Sequence, residues 1–247
     1  AQVQALSTAA VAALSSAQVS TLNSSEVALL STAQIKALDT TQVKALTAEG
    51  LSAFNTAQMA ILTTSQVSSL TAAQVKLLTT VQVAALATSN VKALTSSQIA
   101  AFTNAQLGAL TTAQASSLST AQLKALNIGQ VASLNSTIVA ALGTDQVKAL
   151  SVDQFKALGT DAVAALTTAQ VVALTTAQVQ AIETVDLALL TTAQVQVLRT
   201  AEIAALTTAQ VAALTTADFK ANCLKRSAFS MKRRISYCSA PCTFTIL

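Results

Sequence analysis

The chain has 247 residues, of which 52% are hydrophobic, 3% aromatic and 10% charged. The charged fraction lies well below the ~25% usual for soluble domains, and the scarcity of aromatic residues argues against a conventional core of large side chains. Disorder of the kind found in highly charged chains is also disfavoured. The composition predicts that Thr, Ser, Gln and Asn cover the solvent-facing surface.

The formal net charge of +4 comes from the C-terminal end of the chain. Residues 1–220, called the array below, carry nine Lys or Arg against ten Asp or Glu. Residues 221–247 carry five basic residues and no acid. No nucleic-acid binding is predicted along the array, because capture of a polyanion needs a basic surface. No stretch approaches the ~18 consecutive apolar residues of a membrane span, so no membrane-spanning helix is predicted.

The array consists of an eight-residue unit, written roughly T-A-Q-V-x-A-L-T, repeated without insertion. One column spaced by eight runs from Val3 to Phe219, and of its 28 members only Ala115 is not a large apolar residue. A second column begins three positions later, at Leu6, and is Leu in all but three members, which are Phe or Ile. Such regularity predicts that every unit occupies an equivalent place in a repeat protein.

The polar residues of each unit have the spacing of a helix start. The residue after each Leu is almost always Ser, Thr, Asn, Asp or Gly, the preferred N-cap residues. Gln or Glu follows three residues later in nearly every unit, as Gln170 follows Thr167, which is the spacing of a capping box. The Leu before the cap and the Val after the Gln form a hydrophobic staple. Each unit is predicted to be a two-turn helix, such as Thr168 to Leu174, ended by the next cap, Thr175.

Two other arrangements are open at this point. A single uninterrupted helix is favoured by the abundant Ala, Leu and Gln, but eight residues overshoot two turns by roughly 80°, so the apolar columns would wind around its surface. A β-solenoid suits Thr and Val, but residues three apart on a strand point to opposite faces, so Val and Leu would not share a core. The pattern favours an all-α solenoid, a superhelix of tandem short helices with one helix per eight-residue repeat.

Helices this short need neighbours, because isolated helices below ~12 residues are marginal in water. The Val and Leu columns are therefore predicted to face a continuous inner seam, with the Ala two residues after Val permitting close approach of backbones. The Thr residues, the residue before Gln and the residue after Val are predicted to face outward. The position after Val holds most of the lysines of the array, namely Lys36, Lys44, Lys76, Lys92, Lys124, Lys148 and Lys156.

Residues 221–247 form a non-repeat, basic tail that contains all three cysteines, Cys223, Cys238 and Cys242. One interpretation makes Lys232–Arg234 a patch for a polyanion or for targeting, and another makes Cys238 and Cys242 half of a metal site. The C-x-x-x-C spacing, the absence of His and the odd number of Cys speak against a closed metal site. The favoured interpretation is a poorly ordered end, with a shifted reading frame as one possible origin.

No constellation typical of an enzyme, a metal site or a cofactor site occurs in the sequence. The chain has no His, which removes His-based triads and most zinc hydrolase sites. Its five Gly are scattered and form no phosphate-binding motif. Asp145, Asp153 and Asp161 recur by eight and are expected to line up on one solvated ridge with Lys148 and Lys156. The protein is predicted not to be an enzyme and to have no catalytic, cofactor-binding or metal-binding residues.

The array resembles the T-A-Q-V-x-A-L tracts of large bacterial surface or secreted repeat proteins, as in the run L-T-T-A-Q-V-V-A-L from Leu166 to Leu174. The resemblance implies a bacterial stalk or adhesin-like segment, extracellular or on the cell surface, with no functional residues to carry over. Because the chain starts at Ala1 in repeat phase and without Met, it is expected to be a fragment or a processed product.

A structural scaffold or stalk is the predicted function. Its partner is unknown, and self-association, contact with a surface and contact with a glycan are all open. The alternative is a binding surface for ice or a glycan, built from outward rows of Thr and Ser. The Thr residues of such rows include Thr168, Thr176, Thr192, Thr208 and Thr216.

Overall fold

A computed structural model describes residues 3–214 of the chain. Within these residues the chain forms one short 3₁₀ helix, Val3–Ala5, and 26 α-helices, with no strand. In chain order the helices are α1 (Thr8–Ala12), α2 (Ser16–Ser20), α3 (Ser24–Ala28), α4 (Thr32–Ala37), α5 (Thr40–Ala45), α6 (Ala48–Ser52), α7 (Thr56–Ala60), α8 (Thr64–Ser69), α9 (Ala72–Leu77), α10 (Thr80–Ala85), α11 (Thr88–Ala93), α12 (Ser96–Ala100), α13 (Asn104–Gly108), α14 (Thr112–Ser117), α15 (Thr120–Lys124), α16 (Ile128–Ala132), α17 (Ser136–Ala141), α18 (Thr144–Ala149), α19 (Val152–Lys156), α20 (Thr160–Ala164), α21 (Thr168–Ala173), α22 (Thr176–Ala181), α23 (Thr184–Leu189), α24 (Thr192–Gln196), α25 (Thr200–Ala204) and α26 (Thr208–Ala213). The predictions for the tail, residues 221–247, and for the last residues of the array lie outside the described residues.

Each helix begins at the predicted cap. In α21 the Gln170 backbone N–H donates to Thr167 Oγ1 at 3.2 Å, and the Thr167 N–H donates to Gln170 Oε1 at 2.7 Å. The cap has extended backbone angles, φ −69° and ψ 157°, so the chain turns into the helix at this residue. Reciprocal bonds of this kind recur through most of the units, which confirms the capping boxes expected from the sequence.

Each helix ends earlier than the sequence predicts. The α-helices have five or six residues, and the Leu of each unit stands after the last helical residue. The Leu174 N–H donates to the Val171 carbonyl at 3.2 Å, a 3₁₀-type contact that tightens the last turn. Leu174 itself is extended, with φ −57° and ψ 145°, because the chain must leave the helix before the next cap.

The helices stack on units that follow three repeats later. Helix α1 contacts α4, α2 contacts α5, and the same spacing continues to α23 and α26. The chain therefore coils into a superhelix, with units three apart on adjacent turns. This arrangement confirms the all-α solenoid, and it rules out the uninterrupted helix and the β-solenoid.

The Val and Leu columns form the core. From Leu30 onward the side chains of both columns are almost all buried, and Val75 and Leu78, for example, are 0% and 4% exposed. Burying one side chain of this size stabilises the fold by about 1.5 to 3 kcal/mol. Leu6 is exposed, and Leu14 and Leu22 are only partly buried, because no earlier turn within the described residues covers them.

The outward positions are those that the sequence predicts. The seven lysines after Val are all exposed, as are most of the residues that precede Gln. None of the described helices has the length and apolar character needed to cross a membrane.

Candidate functional site

The most regular polar feature of the interior is the side-chain amide of the capping-box Gln. Gln106 is 2% exposed, and its Oε1 accepts the Thr103 backbone N–H at 2.7 Å. This bond satisfies one of the donors that a helix N-terminus leaves free. The expectation that Gln belongs to the solvent-facing surface is therefore wrong for this position.

The nitrogen of the same amide reaches the previous turn of the superhelix. Gln106 Nε2 donates to the Leu78 carbonyl at 2.6 Å and to the Val75 carbonyl at 2.9 Å. These carbonyls lie at the C-terminal end of α9, where the Val75 carbonyl also accepts the Leu78 N–H and the Leu78 carbonyl has no donor from its own helix. One amide thus caps the start of its own helix and the end of a helix four units earlier, and we call this arrangement a Gln bridge.

Gln bridges recur in most units of the described array. In each, Nε2 donates to the carbonyl of the Leu-column residue 28 positions earlier, at 2.6–3.0 Å. Because helices three units apart pack together and bridges join units four apart, one superhelical turn holds between three and four units. The Gln residues that form these bridges are Gln34, Gln42, Gln58, Gln66, Gln74, Gln82, Gln98, Gln106, Gln114, Gln122, Gln130, Gln146, Gln154, Gln170, Gln178, Gln194 and Gln210, and Asn90 makes the same contact through Nδ2 to the Leu62 carbonyl at 2.7 Å.

Two units carry Glu in the bridging position, and both fit the same geometry. Glu26 lies in the first turn, where no described residue precedes it by 28, and its Oε2 accepts the Asn23 N–H at 3.0 Å. Glu202 is fully buried and has no hydrogen to donate to the previous turn. Arg199, its N-cap, supplies that hydrogen instead, because Arg199 donates to the Leu174 carbonyl at 2.9 Å and pairs with Glu202.

The Arg199–Glu202 pair is the sole ion pair within residues 3–214. Hydrogen bonding to Glu202, and then the charge of that carboxylate, raise the pKa of the Arg199 guanidinium above its ordinary value. The pair thereby replaces a Gln bridge by two charged side chains, so its role is structural.

The outward Thr residues lie where the sequence predicts. Thr168, Thr176, Thr192 and Thr208 are all exposed, and Thr216 lies outside the described residues. Helices α21 and α24 are in contact, which places Thr168 and Thr192 on adjacent turns of the superhelix.

The three aspartates expected to form a ridge are exposed, but they lie on consecutive units. Asp145, Asp153 and Asp161 occupy equivalent positions of α18, α19 and α20, which are consecutive units. Adjacent turns bring together units three apart, whereas consecutive units follow one another around the superhelix. A ridge would need residues three units apart, so the expected alignment by eight is wrong.

An open groove lies beside α16 and α19, with a volume of about 750 Å³. Lys124, Asn127 and Ser151 contribute polar groups, and Asp153 contributes a carboxylate. Among residues 3–214 no group of three or more His, Cys, Asp or Glu is placed to hold a metal ion. The predicted metal and targeting motifs of the tail, Cys238 with Cys242 and Lys232–Arg234, lie outside the described residues.

Comparison with protein families agrees with the repeat geometry. Four overlapping stretches match the family model of the ALTTAQ repeat, namely residues 99–136, 129–160, 153–181 and 179–216. Residues 99–216 are thus similar to the ALTTAQ repeat. The letters A-L-T-T-A-Q, as in Ala165–Gln170, cover the end of one helix, the next cap and the bridging Gln. No curated protein matches the chain.

The ALTTAQ motif therefore contains the side chains that join the turns of the solenoid. The local half of this role, the capping box, was predicted from the spacing of Thr and Gln, whereas the bridge to the previous turn was not. The available signal was the strong preference for Gln over Glu. Either residue completes a capping box, but only Gln also carries hydrogen-bond donors.

Proposed function

We propose that this protein is a structural spacer or scaffold. The observation that carries the proposal is the Gln bridge, because the same contact joins each turn to the next from Gln34 to Gln210. Each added repeat then lengthens the solenoid in the same way. The outer surface of Thr, Ser, Ala and scattered Lys is polar but carries few charges, which suits a spacer that must stay in solution.

We also propose that the scaffold belongs to a bacterial surface or secreted protein and acts without catalysis. The support for this setting is the resemblance of the T-A-Q-V-x-A-L tracts to those of such proteins. The near neutrality of the array fits a stalk that passes anionic surfaces without binding them.

The experiment is small-angle X-ray scattering on the full chain and on a variant lacking residues 79–134. This deletion removes seven whole repeats and keeps the repeat phase. A stiff spacer predicts that the maximum dimension falls in proportion to the repeats removed, while the cross-section is unchanged. A compact particle, or a length that does not depend on the repeat number, would contradict the proposal.

Binding of ice or a glycan is a second candidate, favoured by the exposed Thr168 and Thr192 on touching helices. The test is thermal hysteresis and a glycan array, each with the intact chain and with a Thr168→Val/Thr192→Val variant. Ice or glycan binding that is lost in the variant would support this function. The absence of binding by the intact chain in both assays would exclude it.

A further inference from the structure

Three units without a bridging donor stack directly on one another. In helices α17, α20 and α23 the bridging position holds Ile138, Ala162 and Asp186, which are 2%, 2% and 6% exposed. Helix α17 contacts α20, and α20 contacts α23. We call these three helices the unbridged stack, and they follow one side of the superhelix over successive turns.

Several polar groups in the unbridged stack lack a hydrogen-bond partner or a capping bond. Asp186 Oδ1 is buried and has no hydrogen-bond partner, and the N-cap Glu183 makes no capping bond. Gly159, the N-cap of α20, has no side chain to cap with. In α17 the bond from the side chain to the previous turn is a 3.4 Å contact from Asn135 to the Gly108 carbonyl.

The neighbouring stack of α18, α21 and α24 provides a comparison within the same molecule. These helices also contact one another, and each carries a complete bridge. Gln146, Gln170 and Gln194 donate to Leu-column carbonyls at 2.6, 2.7 and 2.6 Å. The helices of the two stacks have similar lengths, and they differ in the side chain at the bridging position, which in the bridged stack completes both the capping box and the link to the previous turn.

We propose that the unbridged stack opens more readily than the bridged stack beside it. Removing a buried hydrogen bond lowers the local free energy of opening, and opening in a repeat array can be confined to adjacent units. Helices α17, α20 and α23, on one side of the solenoid between residues 135 and 190, would therefore separate from one another while the helices of the other side stay packed. This inference concerns local opening and does not depend on the proposed function.

The test is native-state hydrogen exchange of the full chain, corrected for intrinsic exchange rates. The probes are the amides that close the first helical turn: Val139, Val163 and Leu187 in the unbridged stack, and Val147, Val171 and Val195 in the bridged one. Their hydrogen bonds are alike, at 2.9–3.1 Å. The unbridged amides are expected to exchange about 5 to 30 times faster, the factor that corresponds to one or two missing buried hydrogen bonds. Equal protection in the two stacks would overturn the proposal.

Introducing Gln at the three bridging positions tests whether the missing bridges cause the faster exchange. The variant Ile138→Gln/Ala162→Gln/Asp186→Gln should slow exchange in the unbridged stack to the rate of the bridged one. Gly143 and Gln146 already combine a Gly cap with a complete bridge, so Gln at position 162 has a precedent in this chain. A filled variant that stays folded and keeps its fast amides would contradict the proposal.

The matched control introduces the same three Gln one residue earlier, as Thr137→Gln/Asp161→Gln/Val185→Gln. These positions are exposed and should leave the fast exchange unchanged. If the filled variant fails to fold, the reverse variant Gln146→Ala/Gln170→Ala/Gln194→Ala keeps the test decisive. It should bring exchange in the bridged stack to the fast rate, and unchanged exchange would overturn the proposal.

Discussion

At the scale of single residues, the bridging Gln explains why the repeat uses an amide rather than a carboxylate. A neutral amide has both an acceptor and donors, so one side chain serves two helix ends that would otherwise leave polar groups unpaired. A buried group without a partner costs about 1 to 3 kcal/mol, whereas a hydrogen bond that is made contributes about 0.5 to 1.5 kcal/mol. Removing a bridge therefore costs more free energy of unfolding than the net contribution of its hydrogen bonds.

The substitution Gln106→Glu tests the donor half of the bridge. Glu keeps the acceptor for the Thr103 N–H but sets a carboxylate against the Val75 and Leu78 carbonyls. The free energy of unfolding is expected to fall by about 2 to 4 kcal/mol, measured by denaturant titration at neutral pH. Gln18→Glu is the matched control, because Gln18 is exposed in the first turn and accepts the Ser15 N–H. It should change stability by less than about 0.5 kcal/mol, and equal effects would contradict the bridge.

The Arg199–Glu202 pair makes a second prediction at this scale. Arg199→Ala should lower the midpoint of thermal unfolding, because it leaves a buried carboxylate and removes the donor to the Leu174 carbonyl. Arg199→Thr/Glu202→Gln rebuilds the common unit and should recover at least wild-type stability. The measurement is the midpoint of thermal unfolding of both variants and of the single variant Glu202→Gln. A double variant as unstable as Arg199→Ala would mean that the pair does not stand in for a bridge.

At the scale of the helix, five or six residues are held at both ends by side chains. The cap fixes the start, the staple of Val and Leu fixes the direction, and a bridge from a later unit covers the end. The helix has little stability of its own, so its existence depends on these contacts.

The substitution Thr167→Ala measures the cap. It removes the acceptor of the Gln170 N–H and should cost about 1 kcal/mol, as is usual for a lost N-cap. The neighbouring Thr168→Ala is the control, since Thr168 is exposed at the first helical position. Its effect on the denaturant midpoint should be small, and a loss as large as that of Thr167→Ala would contradict the assigned cap.

The sequence predicted the helices well because their signals are local. Thr167, Gln170 and Leu174 lie within one unit, so the capping box and the staple can be found from the spacing alone. The bridge between Gln106 and Leu78 joins units four apart, at positions 28 residues apart in the chain. No column of the sequence marks that spacing, because every unit looks alike and the number of units per turn is set by how the helices pack.

At the scale of the whole molecule, the number of units in a superhelical turn determines which residues share a side. Units three apart meet on adjacent turns, so a change must be repeated every 24 residues to stay on one side. Ile138, Ala162 and Asp186 have this spacing. The aspartates at 145, 153 and 161 do not, which is why their regularity in sequence does not become a ridge.

The most direct test of the account compares two distances between spin labels in one array. The three native cysteines are replaced by Ser, and labels are attached at exposed positions through Ala169→Cys with Ala193→Cys, and in a second sample through Ala169→Cys with Val185→Cys. The circular-dichroism spectrum of each labelled sample must be helical. The solenoid predicts that the pair 24 residues apart is the closer one, because α21 contacts α24. A single straight helix would give about 36 Å for that pair and about 24 Å for the other, and this reversed order would contradict the account.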